Sequence, residues 1–396
     1  MRVLLAHNFY RSSAPSGEDV VYINERDALA NFVDVFPFEK YNDDIDISTL
    51  GKKIRLAFSC TWSRRAYDEV SAFIRRYRPD VAHFHSIFPQ ISTSAYSACK
   101  DNGVPVIQTL HNYRFMCAGA LLLRNGRPCE ECVGRSPMRA MMYRCYRDSY
   151  LATGAQVWAI AYNKHKRTFS RLVDRYIALT EFSERLFVRN GFPGECITVK
   201  PNFMPEEHAV SRGYGEGGYA LYVGRLSEEK GVRTLMKAWR GVDFPLIVLG
   251  DGPLRGEMEM YAEEYGLSVS IKGYCDRETV LDFMRRANFL IVPSECYEGL
   301  PMVVLEAFSS GTPVVASDIG GLGEVITNDV EGVKFPPGDI LALRNAVTAL
   351  LEDRSRMSQL GENTRNTFIQ NYSAEGNVQK LLNIYQEVID DSDCGR

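Results

Sequence analysis

Short apolar runs alternate along the chain with longer stretches whose apolar residues recur at helical spacing. This alternation predicts buried strands connected by helices, the pattern of α/β proteins with parallel sheets. In the first half the spacing predicts strands over residues 3–6, 81–84, 104–110, 175–178 and 197–199, with helices such as 67–77 and 184–190 between them. In the second half it predicts strands over 219–223, 246–249, 268–272, 289–292 and 314–316. Helices are expected there at about 232–240, 254–265, 278–286, 301–310 and 340–352. A last amphipathic helix over 373–390 would be capped by Ser373.

The halves meet in a segment with four glycines between Gly213 and Gly218 and few apolar residues, which reads as a linker. Its Gly213-x-Gly215-x-x-Gly218 string matches a dinucleotide fingerprint, but it precedes a strand where that motif must follow one. No short repeat is present, so a solenoid is excluded. The expected organisation is an N-terminal Rossmann-like domain over 1–204 with a cysteine-rich insertion at about 114–147, and a linker over 205–218. A second Rossmann-like domain follows over 219–372, and a C-terminal helix over 373–396 packs back on the first domain.

Composition narrows the function classes. Of 396 residues 45% are hydrophobic and 24% charged, as in globular chains, and the net charge is −4. That balance excludes a strongly basic nucleic-acid binder. The charge is uneven, however: residues 1–200 carry 28 basic against 20 acidic side chains, and residues 201–396 carry 18 against 30. The excess of positive charge in the first half includes eight basic residues within 51–79, interleaved with Phe58, Trp62, Phe73 and Ile74. Such a segment suits an anionic membrane surface, or equally a solvated helical face whose apolar side packs inward. No apolar run approaches the roughly 18 residues of a membrane span, and the first residues lack an export pattern. The chain is therefore expected in the cytoplasm, peripheral at most on the inner face of the membrane. The Asp44-x-Asp46 pair sits in an acidic stretch and reads as a solvated loop.

Four of the ten cysteines, Cys117, Cys129, Cys132 and Cys145, form a C-x11-C-x2-C-x12-C pattern. In a reducing compartment, four thiolates around a central C-x2-C suit a structural zinc ion. Unrelated thiols, or a labile disulfide between two of them, are the alternatives.

Ligands of open α/β sheets sit beyond the carboxyl ends of the strands. The strand ending at Val223 is followed by Gly224-Arg225 and Lys230-Gly231, then a helix. Two cations beside a helix N-terminus make a diphosphate site. The strand ending at Val292 leads into Glu298-Gly299-Leu300-Pro301-Met302-Val303, with Glu306 further into the next helix. Pro301 is expected at the first helical position, leaving the Met302 and Val303 amides facing an anion. Gly299 permits close approach of backbone to ligand. A carboxylate beside a phosphate would be repelled, so Glu298 and Glu306 are expected to accept hydrogen bonds from sugar hydroxyls.

Taken together, these residues resemble the family 4 glycosyltransferases. Glu298-x7-Glu306 is similar to that family's E-x7-E motif, and Arg225 with Lys230 to its diphosphate element. The similarity extends through Gly250-Asp251-Gly252-Pro253, Gly311-Thr312-Pro313 and Gly320-Gly321, and in the first half through His83-Phe84-His85 and His111-Asn112-Tyr113. The resemblance implies an α/β GT-B fold, two doubly wound Rossmann-like domains facing each other across a cleft. It implies transfer of a sugar from a UDP- or GDP-sugar to a glycan or lipid-linked acceptor, with retention, in cell-envelope synthesis. No catalytic metal and no nucleic-acid partner are implied. Arg225 and Lys230 would hold the diphosphate, Glu298 the donor sugar, Glu306 the ribose, and His111 would meet the reacting sugar. Gly17 would let amides approach the donor, although the family's paired glycines are here Ser16-Gly17. His7 and His85, also at strand ends, read as structural. A glycoside hydrolase, a nucleotide-sugar epimerase of the same fold and a non-catalytic sugar-nucleotide binding protein are the rival readings.

Overall fold

The computed structural model describes residues 1–12, 16–46, 48–205 and 217–394. Most of the glycine-rich linker, including Gly213 and Gly215 of the fingerprint string, lies outside the described residues. The chain divides into two compact units, one of 1–122, 129–201 and 377 onward, the other of 123–128 and 202–376. The division thus falls after Pro201, and the tip of the cysteine-rich insertion, a two-stranded antiparallel hairpin of Leu123–Arg124 with Arg127–Pro128, groups with the second unit.

The first unit is a six-stranded parallel sheet of β1 (Arg2–Phe9), β2 (Asp34–Tyr41), β3 (Val81–Phe84), β4 (Val106–Leu110), β5 (Arg175–Ala178) and β6 (Ile197–Val199). Its order is β2-β1-β3-β4-β5-β6. Val3, Leu4, Leu5 and Ala6 are fully buried, as expected of a central strand covered on both faces. The edge strand β2 escapes the sequence pattern for a physical reason. It is half-exposed and contains Pro37, which is tolerated only where a ladder donor is not needed. The strand predicted from 104 begins at Val106, after Pro105. Four helices of this unit matter below: α1 (Gly17–Leu29), α2 (Leu50–Ser59), α3 (Arg64–Tyr77) and α4 (Tyr150–His165). The basic stretch 51–79 is therefore two helices with different surroundings.

The second unit repeats the design with β7 (Ala220–Val223), β8 (Leu246–Leu249), β9 (Val269–Gly273), β10 (Phe289–Val292), β11 (Val314–Ser317) and β12 (Gly332–Phe335). The order is β9-β8-β7-β10-β11-β12, again all parallel. The short edge strand β12 is a second element the apolar pattern does not reveal. Helices α5 (Val232–Trp239), α6 (Arg277–Arg286) and α7 (Met302–Ser310) surround the site. The core between sheet and helices includes Leu235, Trp239, Val248, Phe289 and Leu343, all buried. The last helix, α8 (Ala374–Cys394), enters the first unit from Asn377, where the Tyr385 hydroxyl meets His83 Nδ1 at 2.7 Å.

In both sheets the strand order reverses, between β1 and β3 in the first and between β7 and β10 in the second. At such a switch point the neighbouring connections leave in opposite directions and open a crevice beyond the strand ends.

Candidate functional site

Each unit presents polar residues at its own switch point. In the second unit, β7 ends at Val223 and the chain turns through Gly224–Arg225 into the short helical turn Glu228–Lys230. Two glycines make this packing possible. A Cβ at Gly231 would lie 1.8 Å from the Pro293 carbonyl oxygen, and one at Gly250 would lie 1.9 Å from that of Gly224. Backbone therefore meets backbone where the ends of β7, β8 and β10 converge, and any side chain there would force them apart. The Glu295 amide donates to the Glu229 carbonyl at 2.9 Å and closes the loop after β10 onto the loop after β7.

That closure brings Lys230 and Glu298 together. Lys230 Nζ donates to Glu298 Oε1 at 2.6 Å, and the Ser294 hydroxyl donates to the same oxygen at 2.7 Å. Both charges are stabilised by the pairing. Burial works against the Glu298 carboxylate, yet the adjacent Lys230 outweighs it and lowers the pKa. Burial likewise opposes the Lys230 ammonium, and Glu298 raises its pKa. The expectation that Glu298 is reserved for sugar hydroxyls is refined, because one of its oxygens is already engaged by Lys230 and Ser294. Ser294 has no signal in the sequence; its place at the mouth of β10 is what assigns it.

Arg225 is exposed and forms no ion pair among the described residues, so its guanidinium is available to an anion. Its carbonyl accepts from the Tyr222 hydroxyl at 2.9 Å and from the Ser227 amide at 3.0 Å. Gly299 and Leu300 carry the chain to α7, with the Leu300 carbonyl fixed by Asn202 Nδ2 at 3.2 Å. Pro301 is the cap residue and not the first helical one: its ψ of 128° is extended, and α7 starts at Met302. The Met302 and Val303 amides remain among the first-turn donors without an intrahelical partner. Glu306 is buried deeper in α7, with Arg277 Nε at 3.9 Å. Burial raises its carboxyl above the usual range, moderated by Arg277. Glu306 makes no bond to the Lys230–Glu298 pair.

In the first unit, Ser16 and Asp19 form a capping box that begins α1 at Gly17. Asp19 also holds the end of β1, since its Oδ1 lies 2.8 Å from His7 Nε2. Glu18, in the same turn, accepts from Asn112 Nδ2 at 2.7 Å. Burial raises its carboxyl pKa. His111 follows β4, with Nε2 2.9 Å from His85 Nδ1. Burial lowers the pKa of His111 far below its ordinary value, and neighbouring His85 and His7 add to this. His111 is thus a neutral imidazole at neutral pH.

Behind His85 lies a buried cluster that the sequence does not announce. Glu25 Oε1 is 3.1 Å from His85 Nε2, and Glu25 Oε2 accepts from Lys200 Nζ at 3.2 Å. Lys200 also donates to Asn377 Oδ1 at 2.7 Å. Glu25, His83 and His85 place ligand atoms within 4.8 Å of one another, as a metal site would. The residues fit a metal poorly. Lys200 already supplies the positive charge beside Glu25, and both His83 nitrogens are engaged, by Tyr385 and by Thr109 at 2.7 Å. His7 is held by Asp19, and His85 lies between Glu25 and His111.

The four cysteines of the insertion all belong to the first unit, and none of them is in a disulfide. Burial pushes the Cys132 thiol up to about 11, with Cys117, Cys145 and Cys129 close enough to contribute. Among the described residues no three of these sulfurs fall within 4.8 Å of one another.

Two parallel-sheet Rossmann-like units define the class: the chain has the GT-B fold. Residues 203–367 match the model of glycosyl transferases group 1, and residues 37–208 that of glycosyltransferase family 4. Each model covers under half of the chain, and together they reach from residue 37 to residue 367. It is 32% identical over 180 residues to an uncharacterized glycosyltransferase of Methanocaldococcus jannaschii, covering 45% of this chain and 51% of that protein. The matched region spans about half the length of the curated relatives. Among solved structures, sucrose-phosphate synthase of Thermosynechococcus elongatus superposes with a TM-score of 0.72 at 19% identity, over 99% of this chain and 100% of that one. Anabaena HepE in complex with UDP gives 0.67 at 18%, over 98% and 100%. At these identities the two structures speak for the fold alone.

Proposed function

We propose that this chain is a glycosyltransferase that moves a sugar from a UDP- or GDP-sugar to a hydroxyl of a glycan or lipid-linked acceptor, with retention of configuration. Its setting would be the cytoplasmic side of cell-envelope polysaccharide or glycolipid synthesis. The observation that carries the reading is the pairing of Lys230 with Glu298 near the exposed Arg225, at the β7/β10 switch point and next to the first turn of α7. A nucleoside diphosphate suits those groups, because it offers negative charge to a cation and acceptor oxygens to free amides. The UDP held by HepE, a protein of the same fold, is in keeping with this.

The difficult step is departure of the nucleoside diphosphate, as the bond from the sugar's anomeric carbon to the β-phosphate oxygen breaks. Arg225 and Lys230 are assigned to the charge that grows on that phosphate. Cations fixed in advance stabilise growing charge without reorganising, usually the largest catalytic contribution. Glu298, held by Lys230 and Ser294, keeps a second oxygen for a donor-sugar hydroxyl, while Glu306 is assigned to the ribose. Gly17, Gly299, Leu300, Met302 and Val303 shape the donor's backbone contacts. His111 is assigned to the reacting sugar as a neutral hydrogen-bonding group. No carboxylate is placed as a nucleophile, so a same-face displacement assisted by the leaving phosphate is the working mechanism, without a catalytic metal.

Incubation with UDP- and GDP-sugars should release nucleoside diphosphate only when a hydroxyl acceptor is added. Turnover of the donor alone would favour the epimerase, cleavage of a glycoside without nucleotide would favour the hydrolase, and binding without turnover a non-catalytic protein.

The cysteine quartet is assigned to a structural zinc ion. Its neighbourhood supports this: Cys132 and Cys145 pack against one small cluster of Ala118, Ala140 and Val157. Zinc–sulfur bonds of about 2.3 Å would draw the sulfurs closer together. Metal analysis of the purified chain should find one zinc per molecule; none, with all four thiols open to alkylation, would refute the assignment.

A further inference from the structure

The basic segment 51–79 does not act as one surface. Helix α3 turns its apolar side inward, with Ala66, Val70 and Ile74 buried, and Phe73 packs on Phe38. Its Arg64 and Arg65 are engaged by Asp68 and Glu69 one turn on. Helix α2 is different. Ile54 and Phe58 point outward, Phe58 being 63% exposed, and Lys53 and Arg55 have no ion pair among the described residues.

Helix α4 lies against α2. Leu151 and Trp158, seven residues apart and on one helix face, are 83% and 55% exposed. Tyr162 continues that face, its ring 6.3 Å from that of Trp158. Tyr162 and Trp62 line the same cleft of about 510 Å³, together with Lys100, Lys166 and Arg171. Lys100 is committed to Asp174, whereas Lys166 and Arg171 form no ion pair among the described residues. Across 50–65 there are five basic residues and no acidic one, and across 138–172 seven against a single Asp148.

We propose that the joint face of α2 and α4 docks on a bilayer containing anionic phospholipid, with the cleft between Trp62 and Tyr162 receiving a lipid phosphate at Lys166 and Arg171. The chemistry of the face selects this occupant. Exposed Leu, Phe and Trp enter the acyl boundary, aromatic residues settle at headgroup level, and the surrounding cations meet negative charge. A partner protein would have to match Lys53, Arg55, Lys166 and Arg171 while covering apolar knobs on two helices. A bilayer supplies both from one surface. The chain has no helix, among the described residues, long and apolar enough to cross a membrane, so attachment here would be peripheral. Docking would hold the first unit against the layer in which a lipid-linked acceptor resides.

The inference stands apart from sugar transfer, and so does its test, which needs no donor or acceptor. The full chain is floated with vesicles of phosphatidylcholine alone and with 30% phosphatidylglycerol, at low and at physiological salt. The expected result is flotation with the anionic vesicles only, weakened by salt. The pair Leu151→Asp/Trp158→Asp and, separately, Lys166→Glu/Arg171→Glu should each cut the bound fraction about tenfold or more, with unchanged melting curves because these side chains are largely exposed. Exposed Ile369→Asp, in the second unit, should leave flotation intact. Equal flotation with neutral and anionic vesicles, no flotation at all, or a dimer that Leu151→Asp dissolves would each overturn the proposal. None of these outcomes would bear on the transferase reading.

Discussion

Each unit contains a lysine bonded to a glutamate near its switch point, and the two pairs differ in access to water. Lys200 and Glu25 in the first unit are 3% and 2% exposed, 3.2 Å apart, and enclosed by His85 and Asn377. Lys230 and Glu298 in the second are 31% and 14% exposed and 2.6 Å apart, with the exposed Arg225 in the adjoining loop. A sealed ion pair with every partner satisfied has no capacity left for a ligand, and its removal would leave one buried charge stranded. An open pair keeps donor and acceptor capacity toward solvent. The same residue types are therefore sealed in one sheet and open to solvent in the other. What separates them is the number of partners already bound.

The contrast can be broken by substitution. Lys200→Met leaves Glu25 buried beside two histidines whose charged forms burial disfavours, and should cost about 3–5 kcal/mol of stability. Lys230→Met leaves Glu298 with solvent access and the Ser294 hydrogen bond, and should cost only about 1 kcal/mol. Urea unfolding of the two variants against the parent chain measures both. Equal losses would mean that the two pairs play the same structural part.

Much of this was legible in the sequence. The central strands announce themselves as apolar runs because both faces of a parallel sheet are covered. Arg225, Lys230 and Glu298 stand out because each follows a predicted strand. The edge strands β2 and β12 were hidden, because an edge needs neither a continuous apolar run nor freedom from proline. The sealed pair was hidden for another reason. Glu25 and Lys200 are 175 residues apart, each an ordinary charged residue until the fold joins them. Ser294 was invisible in the same way. The α2–α4 face was half legible: the basic run of 51–79 was evident, but only the structure turns α3 inward and brings Leu151 and Trp158 beside α2.

The central claim is that the open cluster of the second unit stabilises a departing nucleoside diphosphate. It is tested most directly by the transfer rate of Arg225→Ala, measured under saturating donor and acceptor alongside its urea unfolding curve. Arg225 is exposed and forms no ion pair among the described residues, so stability should stay within about 0.5 kcal/mol of the parent. The rate should fall by about 10²–10³, the usual cost of removing one preorganised donor from developing charge. A folded variant that transfers sugar at the parent rate would contradict the account.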